Sequence, residues 1–591
     1  MLLVTHLASF LLMTVLNAPI DFDKAAPFTA VRWVDATTEV QVEGVWSGLQ
    51  SIDGTPIDEL LTFAKQSYFS RWQKRFSEDL VELLSLAGQP PGATVQLVLS
   101  DLKTGDERTV SAAMTWENRQ LAWDYNNTAP PEDVAPLTAK DAFIDLDMLL
   151  ATMEEQHSYF KLNEVDASTK IEEIKARLSE DFSKQAFALE LIRFLALFGD
   201  GHAGLRVSSE DVFEPGFLPF LIGAAGQRYV AFLESREELV DSHHPFLLAI
   251  DGVPIAAWVS LGKTLTAHGS LQSQNERGTR NIRYLNWGRT QLGLAITDEV
   301  VLTLGGAQGN ETAEVTLPVA ESKPLYGEWP RTMSGMLDGN VGYLRINEMF
   351  SPDEVPDLYE RLAGRMDSYR DTRALVIDVR GNGGGTRHVL KTLLPYFLDP
   401  AQGPRVVNVA AKRLTSGDDP DDEDGLLGQT RGLFPAHSAQ HGPAARRAIV
   451  AFADQFDPAW PLPEGDFSPW HYMVIAPTDE NGTYFYDRPV AVLIDPSCFS
   501  ATDVFTGAFK GVPNVTLIGT PTGGGSGRSR PVTLPRSGFS LRLSSMASFQ
   551  PSGSLYDGVG VAPDRVVYRE PGDFIGQTDT VLDAAIAVLV R

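Results

Sequence analysis

A chain of 591 residues with a single cysteine, Cys498, can form no intrachain disulfide and no thiolate-rich metal centre. Basic residues are also scarce, with 49 Lys and Arg against 77 Asp and Glu and a formal net charge of −28. That imbalance repels a phosphate backbone, and no run of Lys or Arg overrides it locally, so a nucleic-acid partner is not expected. The ten histidines include no HExxH or other paired spacing, and no metal or cofactor is expected. Long apolar runs are missing as well. Met1–Leu16 (MLLVTHLASFLLMTVL) is shorter than the roughly 20 residues of a membrane-spanning helix and reads as a signal peptide over residues 1–18. No Lys or Arg precedes it, and Leu16 stands where a small residue is preferred before a cut after Ala18, so a buried first element or a misassigned start competes with that reading. The expectation is an exported protein, periplasmic or extracellular, with no stable membrane insertion after any signal cleavage; a cytoplasmic location is the alternative.

What is present is the composition of a soluble globular protein, 43% hydrophobic and 21% charged. The length predicts roughly three to five domains. An internal repeat organises the first half: Leu49–Ile57 reads LQSIDGTPI and Leu247–Ile255 reads LLAIDGVPI, each an apolar stretch entering an Asp-Gly turn. Each copy ends in two alternating runs joined by a Gly-containing turn, Thr94–Met114 and Glu299–Ala320, which predicts hairpins. This order resembles PDZ-like modules, predicted over 19–130 and 208–324. Neither has a clear Gly-Leu-Gly-Phe loop, so peptide binding and a spacer role both stay open. Between them, Phe143, Leu146, Leu149, Leu150 and Met153 recur at helical spacing, as do Ile171, Ile174 and Leu178, then Phe187, Leu191, Phe194, Leu195 and Phe198, predicting a helical bundle over 131–207. It ends at FGDGHAGLRV, which exposes His202. From residue 325 to 591, apolar strands such as ALVIDVR and PVAVLID alternate with helices, predicting an α/β domain with a mostly parallel sheet. An insertion at about 400–487 interrupts it. The run DDPDDEDG (Asp418–Gly425) does not follow EF-hand spacing and reads as a solvated acidic loop.

Two segments of that last domain carry chemistry. DVRGNGGG (Asp378–Gly385) follows a strand and opens a helix, where backbone N–H groups converge on an anion; it lacks the Lys-Ser/Thr ending of a nucleotide P-loop. DPSCFSATDVF (Asp495–Phe505) is again strand, loop and helix. Ser500 there reads either as a helix N-cap, with Asp503 at the capping-box position, or as a hydroxyl whose alkoxide the helix terminus stabilises.

The order of a bundle ending in Asp-Gly-His, a PDZ-like module, GYLRI, DVRGNGGG, FSATD, TPTGGGSG and YDGVGVAPD resembles the serine peptidases that include C-terminal processing (tail-specific) proteases, the tricorn core protease and the interphotoreceptor retinoid-binding protein. The resemblance runs from about Leu146 to the end and implies a crotonase/ClpP-like catalytic domain. It makes Ser500 the nucleophile, and Ala501 with Gly383 and Gly384 the oxyanion hole. Processing proteases of this kind use a lysine about 25 residues after the serine. Here that position is Gly525, no lysine follows Lys510, and Arg528 and Arg530 do not give up a proton, so the usual Ser/Lys dyad is excluded. The tricorn-like branch uses a histidine, which His202 matches, with a relay hydroxyl and an acid, for which Asp557 stands. Gly201 replaces the relay Ser and Asp replaces Glu, so either Asp557 reaches His202 directly or a water bridges them, and Asp200 is a rival acid. Ser497 and Cys498 are competing nucleophiles.

The expected function is a serine-type peptidase acting on polypeptides through an acyl-enzyme. A catalytically lapsed binding protein for an apolar ligand or peptide is the alternative, and an acyl-CoA enzyme of the crotonase type is a third reading. Oligomeric state is left open.

Overall fold

The computed structural model describes residues 24–34, 37–68, 72–127, 137–207, 212–309, 311–416, 418, 426–477 and 484–590. The segment read as a signal peptide and the acidic run beyond Asp418 lie outside the described residues. No helix among the described residues is long and apolar enough to cross a membrane. The chain divides into two compact units, residues 1–135 and 136–591.

The first unit is an antiparallel sheet in the order Ala30–Val34, Thr37–Val42, Val45–Ile52, Thr94–Ser100, Glu107–Ala113. Helices Ile57–Tyr68, Trp72–Glu78 and Leu80–Leu86 bury Leu60, Phe76 and Leu83 against Val40, Leu49 and Leu97 of the sheet. At its centre is the first Asp-Gly turn. Asp53 sits at φ 48°, a conformation Asp tolerates better than most residues. It is fixed by a two-way clamp: Asp53 N–H donates to Gln96 O (2.8 Å), and Gln96 N–H donates to Asp53 Oδ1 (2.7 Å).

The second unit begins with the three helices read from the sequence, Ala139–Gln156, Ala167–Glu180 and Lys184–Ala196, each with a side-chain N-cap from Thr138, Asp166 and Ser183. Their inward residues Leu146, Leu149, Met153, Ile171, Ile174, Phe187 and Leu191 form one core. A second antiparallel sheet comes next, in the order Thr312–Pro318, Glu299–Gly305, Phe246–Ile250, Arg228–Phe232, Leu221–Ala225. It repeats the clamp, with Asp251 at φ 50°, Asp251 N–H to Val301 O (2.7 Å) and Val301 N–H to Asp251 Oδ1 (3.0 Å).

The remaining chain builds a six-stranded sheet in the order Gly335–Leu337, Val341–Arg345, Ala374–Asp378, Val490–Ile494, Val515–Gly519, Arg565–Val566, parallel from the second strand onward. Ala374–Asp378 and Val490–Ile494 are buried throughout, because alternate residues feed cores on opposite faces: Leu375 and Ile377 on one, Ala374 and Val376 on the other. Buried branched side chains of this kind contribute roughly 1.5–3 kcal/mol each. The insertion adds a second sheet: its strands Arg405–Lys412 and His471–Ile475 pair, and Arg405–Lys412 also pairs with Met546–Phe549. A third, small sheet ties the end of the helical bundle to the last part of the chain, since Gly204–Arg206 pairs with Ser540–Ser544.

Candidate active site

The loop Asp495–Phe499 leaves the central strand Val490–Ile494 and enters the fully buried helix Ala501–Phe509 through Ser500. Ser500 has φ 61° and ψ −118°, a strained region for a residue with a side chain, worth of order 1–3 kcal/mol. The strain is over-determined. Phe499 N–H donates to Asn382 O (3.1 Å), Val504 N–H returns to Ser500 O (3.3 Å), and Asp503 accepts from Thr522 Oγ1 (2.5 Å), Gly524 N–H (3.1 Å) and Gly525 N–H (3.0 Å). The Ser500 hydroxyl makes no capping hydrogen bond. Its Oγ lies 3.1 Å from His202 Nε2.

His202 stands just after the bundle, and four contacts aim it. Its N–H donates to Asp200 Oδ1 (2.9 Å), Arg277 donates to Gly201 O (3.2 Å), its ring lies 4.7 Å from that of Phe499, and the strand beginning at Gly204 is stitched to Ser540–Ser544. Burial pushes the imidazole down to about 4, against the opposing charge of Asp200, so it is neutral at physiological pH. With Nε2 facing the hydroxyl, the ring proton belongs on Nδ1, which is buried without a partner among the described residues.

Two carboxylates lie close by, and they differ. Asp200 is fully buried, and burial works to raise its pKa, but hydrogen bonds overcome this and hold it below the usual carboxylate range. Its donors are His157 Nε2 (3.0 Å), Ser544 N–H (2.9 Å), Ser544 Oγ (2.7 Å) and His202 N–H. Its oxygens are therefore engaged away from the His202 ring. Asp557 Oδ2 accepts from Tyr159 Oη (2.6 Å) and Ser526 N–H (3.0 Å), while Oδ1 is buried with no partner among the described residues. Burial first, then the charge of Asp200, push Asp557 up to about 8. A ring nitrogen of His202 and one oxygen each of Asp200 and Asp557 lie within 4.8 Å of one another. That spacing could accommodate a cation, but Asp200 is already saturated by four donors.

The glycine loop closes the site. Gly384, at φ 103°, lies so near that a Cβ there would be 2.6 Å from Phe499 O and 2.7 Å from Ser500 Cβ. Its N–H donates to Asn382 Oδ1 (2.9 Å), which also accepts from Thr502 Oγ1 (2.8 Å). Gly383 and Ala501 N–H make no backbone hydrogen bond among the described residues, which leaves them free to face an oxygen. The rivals fare differently: Cys498 is buried, donates to Val379 O (3.0 Å), and burial pushes its thiol well up, whereas Ser497 accepts from Arg280 (3.0 Å) in the wall of an adjoining cavity. Phe499 explains both glycines that break the sequence pattern. A Cβ on Gly201 would lie 2.8 Å from its ring, and one on Gly525 would lie 2.3 Å from it.

Sequence reasoning missed Asn382, Phe499, Tyr159 and Arg277. Asn382 could have been found as the one polar side chain inside GNGGG; Tyr159, in His-Ser-Tyr-Phe at a helix end, carries no local signal.

Residues 340–567 match the profile of Peptidase family S41. A carboxy-terminal-processing protease of Bartonella bacilliformis is 33% identical over 81 residues, 14% of this chain and 18% of that protein. A protein of Chlamydia pneumoniae is 27% identical over 246 residues, 38% of this chain and 39% of that one. The matches thus span less than half the length of these curated relatives. Among solved structures, mature CPAF superposes with a TM-score of 0.53 at 18% identity, covering 76% of this chain and 96% of that one, a likeness of fold.

Proposed function

We propose that this chain, which carries a peptidase family S41 domain over residues 340–567, is a serine peptidase that cleaves polypeptides through an acyl-enzyme on Ser500. The observation that carries the reading is the 3.1 Å approach of Ser500 Oγ to His202 Nε2 at the start of a buried helix, with the hydroxyl released from any capping duty. Neutral His202 accepts the hydroxyl proton as Oγ attacks the scissile carbonyl, then returns it to the leaving amine. Gly383 and Ala501 N–H are the free donors for the oxyanion, each worth about 3 kcal/mol of transition-state stabilisation. Gly384 contributes close approach rather than a donor, because Asn382 holds its N–H.

Asp557 supports the imidazolium, ionised when His202 takes up charge. No direct hydrogen bond joins these two described residues, and their unpartnered buried atoms, His202 Nδ1 and Asp557 Oδ1, support a bridge by one water. Asp200 is a positioning residue that sets the His202 backbone. The crotonase/ClpP-like reading of residues 325–591, the PDZ-like reading of the two repeated modules and an exported location belong to the same proposal.

A fluorophosphonate probe at neutral pH tests it. Labelling mapped to Ser500, abolished in Ser500→Ala and reduced by at least about a hundredfold in His202→Ala, is the expected result. Absence of labelling in folded wild-type protein overturns the reading in favour of a binding role.

A further inference from the structure

One wall of the candidate active site opens into a cavity of about 260 Å³ whose lining includes Gly383 and Phe499 together with four arginines, Arg236, Arg277, Arg280 and Arg569. Two of these, Arg277 and Arg280, come from the helix Leu271–Asn281, whose sequence LQSQNERGTRN has almost no apolar face. It is held by backbone proximity instead. A Cβ on Gly262 would lie 2.1 Å from Gly278 O, so this helix and Ile255–Lys263 cross at glycine-limited distance.

The charges in the cavity do not balance. Glu276 is shared between Arg280 (2.8 Å) and Arg569 (3.4 Å). Asp495 keeps its negative charge, its Oδ1 accepting from the N–H groups of Gly381, Ser497 and Cys498, so four arginines face three carboxylates in the lining. Glu328 is exposed and accepts from Asn347. Arg236 and Arg277 pair with no carboxylate among the described residues. Arg236 spends its N–H groups on Tyr326 O and Phe574 O and lies over Phe232 and Trp329; Arg277 donates to Gly201 O and lies 4.6 Å over the Phe499 ring. Burial, with the charges of neighbouring arginines second, pushes Arg236 down to about 10, which leaves it cationic at neutral pH. Gathering guanidinium groups around one pocket is unfavourable until an anion enters, and planar donors suit a carboxylate.

We infer that this cavity is a specificity pocket for an acidic side chain of the substrate near the cleaved bond. This deepens the peptidase reading and rests on it. Arg277 is central, because it touches both the residue before His202 and the ring before Ser500, so an anion it holds is registered against the reacting serine.

The test is a mass-spectrometric peptide library in matched sets: Asp against Asn, Glu against Gln, and free against amidated C-termini, read as kcat/KM. Wild-type protein is expected to favour the carboxylate member by about tenfold or more, the scale of a charge-assisted hydrogen bond. The Asp/Asn and Glu/Gln sets report the pocket, and a preference confined to the amidation set overturns it. Arg277→Gln is expected to bring the preference near one, Arg277→Lys to restore part of it, and Arg569→Gln to weaken it independently should Arg277→Gln not fold. No preference in wild type, or a preference unchanged in the folded variants, overturns the pocket. If no peptide is cleaved, the same pairs titrated against Ser500→Ala by fluorescence anisotropy decide it. Preferential carboxylate binding lost in the Arg277→Gln/Ser500→Ala double variant upholds the pocket while the peptidase reading fails, and equal binding of acid and amide removes both.

Discussion

The two copies of the internal repeat fold to the same turn, with the same backbone clamp and a register shift at the same step, Leu49/Ser51 in one and Leu247/Ala249 in the other, yet the helices beyond the turn differ in what they bury. In the first, helices Trp72–Glu78 and Leu80–Leu86 spend their buried residues Phe76, Leu80, Leu83 and Leu84 on that module's own core. In the second, the polar helix Leu271–Asn281 carries arginines to the cavity beside Ser500. The turns are anchored differently too. Asp53 is exposed and has no arginine partner among the described residues, whereas Asp251 Oδ2 accepts from Arg289 Nε (2.8 Å), and that buried guanidinium also donates to Thr297 O (2.8 Å) and Glu299 O (2.6 Å). A common scaffold has been stiffened where it adjoins chemistry.

Breaking that contrast is the largest effect we expect. Arg289→Met strands a carboxylate and two carbonyls and should cost about 3–5 kcal/mol in chemical denaturation, whereas Asp53→Asn should cost about 1 kcal/mol or less. Equal losses would mean that the two turns are equivalent.

Next comes pH. Folded Asp557 keeps its proton to about pH 8, whereas the unfolded chain releases it near 4. The folded state therefore binds more protons across that window, and the contribution to stability is lost as pH rises, by about 1.4 kcal/mol per unit. His202 acts oppositely: its folded pKa of about 4 lies below the unfolded value near 6.5, so its contribution is full above 6.5 and is lost as pH falls towards 4. Between about pH 6.5 and 8 only the Asp557 slope remains of the two. Burial also pushes Asp503 up to about 7, which adds a smaller slope below that pH, so urea melts at both ends of the range should show a decline in wild type that Asp557→Asn reduces to that remainder, with the first module unaffected; an identical slope in the variant would contradict the assignment.

Tyr159→Phe is the subtlest. Its hydroxyl donates to Asp557 and favours the ionised form, so its loss should move the rising limb of kcat/KM to higher pH by about one unit, with little change in the limiting rate. A lower rate with an unmoved limb would make Tyr159 merely structural.

The sequence alone leads to Ser500, His202, Asp557 and the glycine loop, and the structure brings Ser500 against His202 with both Asp557 and Gly384 close by. The reason is that the order of motifs resembles a known peptidase family, which implies roles for these residues that their local patterns alone leave open. The N-cap reading of Ser500 is equally open from local pattern; its backbone conformation and the position of His202 are what distinguish the two. Asp557's support depends on residues 398 positions apart, Tyr159 and Asp557, a separation at which no periodicity speaks. The arginine cavity is invisible in the sequence for a similar reason: the polar helix Leu271–Asn281 carries no motif, and Gly262 and Gly278 draw it in only in the fold. The insertion's place in a sheet is not legible because its strand Arg405–Lys412 pairs with Met546–Phe549, far along the chain.

Phe499 bears on how such a site can change over time. Its ring fills the space that a side chain at either Gly201 or Gly525 would need. A lysine at position 525 or a serine at 201 has to displace that ring. Adjacent to the nucleophile, a single aromatic residue thus couples positions 201 and 525: a side chain at either comes with a moved or smaller side chain at 499.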